Sequence, residues 1–375
     1  MGRRKRKRRN LLGDPSLYSE PPSHFDEQSL YAKLQTQAEE LGLWLCGVTD
    51  ASPANTYSKY LEWCEQGYQG DMGYLSRQDR LARREDLSVV LEHVRSVILV
   101  ALKYWPGQFP EEMNDPKRGV ISCYAWGEDY HDILGEKLKA LSTWLVEQVE
   151  GAATWYVDTG AVQERELGSR AGLGFVGKNT MLIHPKYGSG FFLGEIFTTI
   201  PIPPSSTKSM PSCGSCSRCL DLCPTQAFVS PYVLDARKCI SYLTIEYKGS
   251  IPEELRKPMG QLIYGCDICQ QVCPWNKFAG KSASPLWGDD VPIEKVAPQL
   301  EELLQLDEEE FRTWFEGSPI LRVGRARFLR NVAVALGNSG QRSSIPVLEQ
   351  ALQDPEPLIR EHAEWAIKQI QACTS

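Results

Sequence analysis

The sequence predicts a multidomain α+β protein, because three kinds of pattern follow one another along its 375 residues. Short apolar runs alternate with stretches of helical periodicity between residues 26 and 200. Eight cysteines then fall within residues 213–273, and from about residue 300 the patterns are helical. A chain of this length is too long for one ordinary core, so we expect separate domains.

The chain begins with a basic segment, RRKRKRR at residues 3–9, although its formal net charge is −7. This segment could neutralise nucleic-acid phosphates or be a disordered start without a specific role, and the sequence leaves both open. It lacks the apolar stretch of a secretory signal. Residues 11–24 are rich in Pro, Ser and Gly, so residues 1–24 are predicted to be a basic tail and a linker.

Residues 25–205 are predicted to form an α/β domain, with α+β as the alternative, because helical and strand-like stretches alternate there. Helical periodicity is present at 26–42, 57–66, 129–150 and 161–171. Strand-like apolar runs are present at 43–50, 96–102, 119–126, 154–160 and 189–200. No apolar run approaches the ~18 residues that would cross a bilayer, so we expect no membrane partner.

The glycines of GLGFVG, at 172–177, match a dinucleotide-binding fingerprint, and Glu195 lies at a suitable distance to complete it. That fingerprint needs a strand before the glycines and a helix after them. Here a helical stretch precedes and the strand-like KNTMLI follows, so we exclude it. A backbone turn that lets a ligand approach closely remains possible.

Residues 206–285 contain the eight closely spaced cysteines. The run CGSCSRCLDLCP has bacterial ferredoxin spacing, with Pro224 after its last cysteine. A second run, YGCDICQQVCP, supplies three more cysteines, but Ile263 stands where a full run would have its first. Cys239, between the runs, can fill that place. The pattern predicts a ferredoxin-like domain with two [4Fe–4S] clusters.

Each cluster is expected to take thiolates from both runs, because the proline turns the chain away and sends the fourth cysteine to the other cluster. One cluster is assigned Cys213, Cys216, Cys219 and Cys273. The second is assigned Cys223, Cys239, Cys266 and Cys269. Structural zinc is a weaker alternative, since it needs neither the third cysteine of a run nor the crossing fourth. A disulfide framework is weaker still in a long chain without a secretory segment, so we expect a reducing cytoplasm.

Residues 286–375 are predicted to be helical, after a Pro- and Ser-rich boundary at 200–212 and the cysteine domain. Helical patterns lie at 308–315, 321–336, 343–353 and 357–371. The last two resemble one HEAT-type hairpin. One or two such units cannot stand alone, so this segment should pack on the rest of the protein.

Four further segments accompany the cysteine runs: CYAWGEDYHD (123–132), YVDTGAVQERELGSRAGLGFVGKNTML (156–182), ARKCISYLTIE (236–246) and LRNVAVALGN (329–338). Together they resemble the epoxyqueuosine reductases, the enzymes of the last step of queuosine synthesis in tRNA. The resemblance covers about 28–371 and does not include the basic tail.

The resemblance implies a cobalamin in the first domain next to one cluster, and an external electron donor of flavodoxin or ferredoxin type at the other. The substrate would be a tRNA whose wobble base carries an epoxide. Two electrons and two protons would convert that epoxide to an alkene with loss of water. We expect a cytoplasmic monomer. DYHDILG misses the DxHxxG signature of histidine-ligated cobalamin by one residue, so His131 is not expected to bind cobalt.

Asp158, in YVDTG, matches the proton donor that the resemblance implies. Reductive opening of an epoxide needs a proton near its oxygen. To act as an acid near neutral pH, this carboxyl should have a pKa raised by burial. The alternative role is a helix N-cap, because residues 161 onward have helical periodicity. His131 is the next candidate for the acid.

The resemblance also implies residues that line the corrin or its entrance: Arg84, Ser122, Asp158, Lys178, Asn179, Leu182, Leu193 and Ser241. For the two leucines, plain core packing is the alternative. Arginines could bind RNA phosphates, since backbone contacts dominate nucleic-acid affinity. The candidates are Arg165, Arg322, Arg325, Arg327, Arg330 and Arg342, and solvated helix surface is the alternative for them.

Two other functions remain open at this stage. One is an enzyme of the same fold that acts on a small molecule, such as a reductive dehalogenase, although RRKRKRR lacks the apolar segment of a twin-arginine signal. The other is an iron–sulfur electron-transfer protein without catalysis. About two hundred residues of ordered sequence before the cysteines argue against the second.

Overall fold

The structure is a computed structural model that describes residues 10–13, 26–205, 209–279, 286–287 and 291–372. The basic segment at 3–9 and most of the predicted linker lie outside the described residues. Within those ranges, no helix combines the length and the apolar character needed to cross a membrane.

The first region is built around a five-stranded sheet. Its elements are β1 (Leu11–Leu12), α1 (Glu27–Glu40), β2 (Leu45–Asp50), α2 (Tyr57–Glu65), α3 (Gln78–Glu85), β3 (Ser96–Lys103), β4 (Val120–Ile121), α4 (Tyr130–Gln148), β5 (Ala153–Tyr156), α5 (Glu164–Arg170), β6 (Phe175–Val176), β7 (Leu182–Ile183) and β8 (Phe191–Thr198). The sheet order is β1-β5-β8-β3-β2, and every neighbouring pair is antiparallel. An α/β domain would need a mostly parallel sheet, so that prediction is wrong for this region and its α+β alternative holds, as does the α+β class of the whole chain.

Helices cover both faces of this sheet, which explains why β3 is buried along its whole length. On one face, Leu34 of α1 and Leu138 of α4 pack against Ile98 of the sheet. On the other face, Leu167 of α5 packs in a cluster with Leu99. An apolar run such as SVILVALK therefore predicts a buried strand correctly, but it carries no information on strand direction.

The predicted helices at 26–42, 57–66 and 129–150 are present, and the helix predicted at 161–171 begins three residues late, at Glu164. The strand predicted at 119–126 is mostly wrong. Only β4 is extended there, and a 3-10 turn follows at Cys123–Ala125. β4 pairs in parallel with a strand of the cysteine region, so this segment joins the two regions.

The second region carries the cysteines on short elements. They are α6 (Arg218–Asp221), β9 (Phe228–Ser230), β10 (Val233–Leu234), α7 (Ile240–Ile245), α8 (Glu253–Arg256), β11 (Leu262–Tyr264) and α9 (Ile268–Gln271). β9 and β10 form an antiparallel hairpin, and β11 is the strand that pairs with β4.

The third region is helical, as predicted. It contains α10 (Ile293–Val296), α11 (Leu300–Leu304), α12 (Glu308–Trp314), α13 (Arg325–Ser339), α14 (Ile345–Ala351) and α15 (Pro357–Ala372). Its apolar residues share one core with Trp105, Ile121 and Trp126 of the first region and Ile263 of the second. The prediction that this segment packs on the rest of the protein is confirmed, and its HEAT-type identity stays a prediction.

Helix α13 is attached to the cysteine region by buried polar side chains. The Arg330 guanidinium, which is 0% exposed, donates hydrogen bonds to the backbone carbonyls of Leu243, Tyr247 and Gly249. The Asn331 amide, next to it, donates to the carbonyls of Thr244 and Ile263. These bonds satisfy carbonyls that would otherwise be buried without a donor.

Candidate active site

The structure brings together the four cysteines predicted to share the first cluster. Burial, together with the charges of Cys213, Cys273 and Cys216, raises the pKa of the Cys219 thiol to about 11. Several backbone positions around them, including Gly214, are exposed. We call Cys213, Cys216, Cys219 and Cys273 the outer group.

The four cysteines predicted for the second cluster also lie together. Burial raises the pKa of the Cys266 thiol, and the charges of Cys239 and Cys223 contribute to this rise. Burial, and then the charges of Cys266 and Cys239, also raise the pKa of the Cys269 thiol. We call Cys223, Cys239, Cys266 and Cys269 the inner group. The charge of Cys219 also acts on Cys269, so the two groups are neighbours.

All eight thiols of these groups are free. The described residues contain no set of three or more His, Cys, Asp or Glu side chains gathered tightly enough for a single metal ion. In a four-iron cluster each thiolate instead binds a different iron, and four cysteines hold the cluster. Two neighbouring groups of four separate thiols have the composition that two such clusters require.

Lys178 and Asn179 both attach the glycine turn of the first region to the cysteines. The Lys178 ammonium donates to the carbonyls of Gly214, at 2.8 Å, and Cys216, at 2.9 Å. The Asn179 amide donates to the Cys269 carbonyl at 3.2 Å. Lys178 therefore holds the outer group, and Asn179 holds the inner group.

Ser122 is buried beside the inner group. Its hydroxyl donates to Asp267 Oδ1 at 2.6 Å, and the backbone amide of Cys123 donates to Asp267 Oδ2 at 2.7 Å. Ser241 lies in the first turn of α7, where its backbone amide and hydroxyl lower the pKa of the Cys239 thiol against the larger, opposite effect of burial. Both serines therefore border the inner group.

Asp158 follows β5 in a left-handed backbone conformation, with φ of +55°. Asp tolerates this region better than most residues do. Its side chain is 64% exposed, so the prediction that the protein buries this carboxyl is wrong. The N-cap alternative is also wrong, because α5 begins at Glu164 and its N-cap is Gln163.

Two side chains of α4 approach the Asp158 carboxyl. The Tyr130 hydroxyl donates to Asp158 Oδ2 at 2.8 Å, and His131 Nε2 lies 3.9 Å from the same oxygen. Tyr130 is stacked on Phe192, with 4.0 Å between the ring centroids. Burial raises the pKa of Tyr130, so its hydroxyl keeps the proton that it donates.

His131 is held on its other side by a charged network. Its Nδ1 lies 2.7 Å from Asp129 Oδ1, and the Arg322 guanidinium donates to Asp129 Oδ2 at 2.6 Å. A second nitrogen of Arg322 lies 3.2 Å from His131 Nε2. The sequence separation between Arg322 and Asp129 is 193 residues, so this contact was not predictable from spacing.

The remaining predicted cofactor contacts lie around α3 and α5. Arg84 is 6% exposed, and its guanidinium lies 4.7 Å from the centre of the Tyr60 ring. Leu182 is buried, and a Cβ at Gly168 of α5 would lie 2.8 Å from Leu182 and 3.8 Å from Leu193. The two leucines thus pack beneath α5.

The glycine turn has the predicted order, with α5 before it and β6 and β7 after it. Gly174 has φ of +159°, and a Cβ there would lie 2.4 Å from the Ile183 carbonyl oxygen. This close approach explains the glycine without a dinucleotide. Arg165 of α5 donates to the Thr180 carbonyl within the same turn.

Most of the arginines proposed for RNA have protein partners. The prediction is wrong for Arg330, which is buried as described above. Arg325 pairs with Asp354, and Arg327 donates to the carbonyls of Val323 and Ile245. Arg165, Arg322 and Arg342 are the members of this set that remain exposed.

Sequence reasoning missed four residues of the site: Tyr130, Asp267, Glu164 and Glu195. Tyr130 precedes His131 in DYHD, and Asp267 lies between two cysteines of the second run. Both were visible as polar residues within recognised segments. Glu195 was set aside with the dinucleotide fingerprint, and its contact with the Glu164 carboxyl comes only from folding.

Comparisons with known proteins agree with these features. A family model described as a 4Fe-4S double cluster binding domain matches residues 212–276. Another, described as epoxyqueuosine reductase QueG, DUF1730, matches residues 84–159. The chain is 41% identical to an epoxyqueuosine reductase of Pseudomonas aeruginosa, over 92% of this chain and 95% of the relative. It is 40% identical to that of Escherichia coli, over 94% and 91%.

Solved structures are similar over the same extent. An epoxyqueuosine reductase with a tRNA-Tyr epoxyqueuosine-modified stem loop matches with a TM-score of 0.83 and 34% identity, over 92% of this chain and 91% of that one. An epoxyqueuosine reductase of Bacillus subtilis, described with its aspartate-bearing catalytic loop swung out of the active site, matches with a TM-score of 0.82 and 35% identity, again over 92% and 91%.

Proposed function

The chain belongs to the epoxyqueuosine reductase family, and from this premise we propose that it reduces epoxyqueuosine to queuosine at the wobble position of tRNA, with two [4Fe–4S] clusters, cobalamin and Asp158 as the proton donor. The net change is an epoxide plus two electrons and two protons giving an alkene and water. The observation that carries the proposal is the Asp158 carboxyl, open to solvent and fixed by Tyr130, beside two groups of four thiols.

We assign one cluster to the outer group and one to the inner group. When bound, the clusters would supply one-electron transfer. Ser122 and Asn179 tie the inner group to the first region, which favours a position next to the cobalamin. The outer group lies behind a more exposed loop, so an external donor of flavodoxin or ferredoxin type would approach there.

When bound, cobalamin would supply the low-potential electrons that open the epoxide. We assign its contacts to the predicted set: Arg84, Ser122, Asp158, Lys178, Asn179, Leu182, Leu193 and Ser241. Two polar atoms of the first region, Gln163 Nε2 just before α5 and Gln69 Oε1 between α2 and α3, are buried without a hydrogen-bond partner in the described part of the chain. Corrin side chains carry amides, which can satisfy both a donor and an acceptor.

Asp158 is arranged to give a proton to the oxygen of the opened epoxide. The Tyr130 hydroxyl donates to Oδ2, which leaves Oδ1 as the oxygen that carries the acidic proton. His131 lies on the Oδ2 side as well. The alkoxide receives the proton as the carbon–oxygen bond breaks, and Asp158 is left as a carboxylate.

The exposure of Asp158 suits a substrate as large as tRNA. A base splayed out of a single-stranded loop can reach a carboxyl that lies at the surface, whereas a deep pocket would serve a small molecule better. The related structure with a modified stem loop supports this choice over a small-molecule dehalogenase. Of the exposed arginines, Arg322 reaches the site through Asp129, and Arg165 interacts with the charge of Asp158.

We further propose a cytoplasmic monomer divided as predicted: 25–205 for cobalamin, 206–285 for the clusters and a HEAT-like unit at 286–375. The shared core of the three regions supports a single chain that needs no partner subunit to cover its helices.

The test is conversion of epoxyqueuosine in tRNA isolated from a strain that lacks the gene, with anaerobically purified protein. The wild type should form queuosine, and Asp158→Asn should lose at least about 100-fold in rate, since general acids contribute that much or more. Asp132→Asn, an exposed aspartate on α4, is the matched control and should react normally. No conversion by wild-type protein containing iron and corrinoid would contradict the function. An iron-loaded protein that never binds corrinoid would favour the electron-transfer alternative.

A further inference from the structure

A carboxyl group lies inside the first region without an ordinary partner. Glu195, on the central strand β8, is 0% exposed. Among the described residues, neither of its carboxyl oxygens accepts a hydrogen bond from an amide, hydroxyl or cationic group. The neighbouring polar group is the carboxyl of Glu164. A buried carboxyl without such a partner is costly, and a native protein retains one only where something offsets the cost.

This pair of carboxyls lies directly beneath the loop that carries Asp158. Gly160 rests on Glu195, since a Cβ at Gly160 would lie 2.8 Å from Glu195 Oε1. Tyr156, the last residue of β5, is the cross-strand neighbour of Glu195. The loop from β5 to α5 therefore has Glu195 under its middle and Glu164 at its end.

Two carboxyls in contact must hold at least one proton between them, because two carboxylates in a dry site repel each other. Burial raises the pKa of Glu195 well above its ordinary value, and the charge of Glu164 adds to this rise. Burial and then the charge of Asp158 raise the pKa of Glu164 to about 8, against opposite effects of Glu195, Arg165 and Arg84. At neutral pH both carboxyls therefore hold a proton, and the Glu195 carboxyl can donate a hydrogen bond to Glu164.

We propose that Glu195 and Glu164 are positioning residues for Asp158: the Glu195 carboxyl donates a hydrogen bond to Glu164, and this bond fixes the floor on which the 158–160 loop rests. Asp158 is itself exposed with φ of +55°, so the buried contact of the 158–160 loop is made by Gly160, on Glu195 and Tyr156. The proposal deepens the proposed function, since it concerns the geometry of the same proton donor.

The charged groups that face the pair come from four elements. They are Asp158 after β5, Arg165 on α5, Arg84 on α3 and the two glutamates themselves on α5 and β8. Loss of the Glu195 proton at alkaline pH would place two carboxylates in contact beside Asp158. The floor of the loop should then separate, and Asp158 should lose its orientation toward the substrate.

Glu195→Gln provides the sharpest variant, because its amide N–H donates permanently to Glu164 where the carboxyl donates only while protonated. Glu195→Leu removes the donor at similar volume. Glu166→Gln is the matched control, since Glu166 lies on the same helix but bonds to Asn55 and Thr56. Iron content and thermal unfolding of each variant report whether the fold is intact.

The first two readouts need no turnover. Wild-type protein at neutral pH should show an infrared band of protonated carboxyls that loses the Glu195 contribution in Glu195→Gln and is unchanged in Glu166→Gln. Amide exchange in a peptide spanning 157–160 should be slow in wild type and in Glu195→Gln, and at least about tenfold faster in Glu195→Leu, as the loss of one buried hydrogen bond predicts. Corrected for intrinsic rates, exchange should accelerate at alkaline pH in wild type and not in Glu195→Gln.

In turnover, Glu195→Leu should lose at least about tenfold in kcat with KM nearly unchanged, and Glu195→Gln should move the alkaline loss of activity to higher pH. An absent infrared band in wild type, or a loop equally protected in Glu195→Leu, would overturn the proposal. If Glu195→Leu lacks iron, Glu164→Leu replaces it and should free the same loop. Inactive wild-type protein with both spectroscopic results intact would count against the function and leave the carboxyl pair standing.

Discussion

The cysteine groups and the Asp158 site are neighbours that are held in opposite ways. The inner group is enclosed by bonds from both flanking regions, with Asn179 and Ser122 on one side and Arg330 and Asn331 of α13 on the other. Asp158 lies on an exposed loop, and among the described residues its carboxyl has one direct hydrogen bond, from Tyr130. Electron transfer needs fixed distances, whereas a proton donor to tRNA needs room for a large substrate to enter. The contrast indicates that rigidity is placed where electrons move and access is placed where the substrate binds.

The largest effect is expected from removal of a thiolate of the outer group, on the rigid side of this comparison. Cys216→Ser removes one of four thiolates, so we expect about half of the iron to be lost and activity to fall below detection, because one cluster is missing from the route. Iron quantified per chain and conversion of epoxyqueuosine in tRNA measure the two effects. Cys64→Ser, which lies outside both groups, is the control and should keep full iron and activity. Full iron in Cys216→Ser would contradict the assigned ligand.

Acidic pH should also destabilise the rigid side, at the contact between the third region and the second. His362 Nε2 accepts a hydrogen bond from the Ile251 amide, and burial, with the charge of Arg256, lowers the pKa of His362 to about 4. When the pKa of a histidine is lower in the folded protein than in the unfolded chain, the histidine stabilises the fold fully at pH values above its pKa in the unfolded chain. That contribution is lost as the pH falls from about 6.5 through about 4.

We therefore expect the free energy of unfolding to decrease across this range by about 3 kcal/mol, since one pKa unit corresponds to about 1.4 kcal/mol. Denaturant unfolding followed at several pH values measures it. His362→Gln keeps an acceptor without titrating and should flatten the dependence. An equally steep curve in that variant would assign the acid sensitivity to another group.

The two sides also differed in how far the sequence could predict them. Cysteine spacing within the two runs predicted seven of the eight members of the two groups, because a cluster motif is largely local, and Cys239 was added to fill the place left by Ile263. The four helices from α12 to α15 were predicted within a few residues because their periodicity is also local, whereas the short helices α10 and α11 were not predicted. Strand direction in the first sheet was not predictable, since a buried strand has the same apolar run in either direction.

For Asp158 the sequence offered a candidate proton donor but not its surroundings. Its exposure depends on where the 158–160 loop leaves the sheet, which no periodicity encodes. Arg322 reaches Asp129 across most of the chain, and Glu195 meets Glu164 across a strand and a helix, so these partners exist only after folding. The same ambiguity made Arg330 look like an RNA contact, although its charge is used inside the protein.

The smallest effect is expected at the exposed Asp158 site, from loss of the Tyr130 hydroxyl. Tyr130→Phe removes only the hydroxyl that donates to Asp158 Oδ2, and the ring can keep its stacking on Phe192. We expect kcat to fall by about tenfold, as one hydrogen bond to an acidic group predicts, with iron content and unfolding free energy nearly unchanged. Single-turnover conversion of epoxyqueuosine in tRNA, with prereduced enzyme, isolates this step from electron supply.

Tyr31→Phe is the matched control, because it removes a hydroxyl hydrogen bond, to Ser205, on the far helix α1. If the hydroxyl of Tyr130 only supports the fold, both variants should lose stability and neither should lose rate. If it orients the acid, only Tyr130→Phe should slow the proton-dependent step, and the solvent isotope effect on that step should persist. A rate unchanged in Tyr130→Phe would mean that the Asp158 loop is oriented from below alone, by Glu195, and that the open side of the site contributes access without alignment.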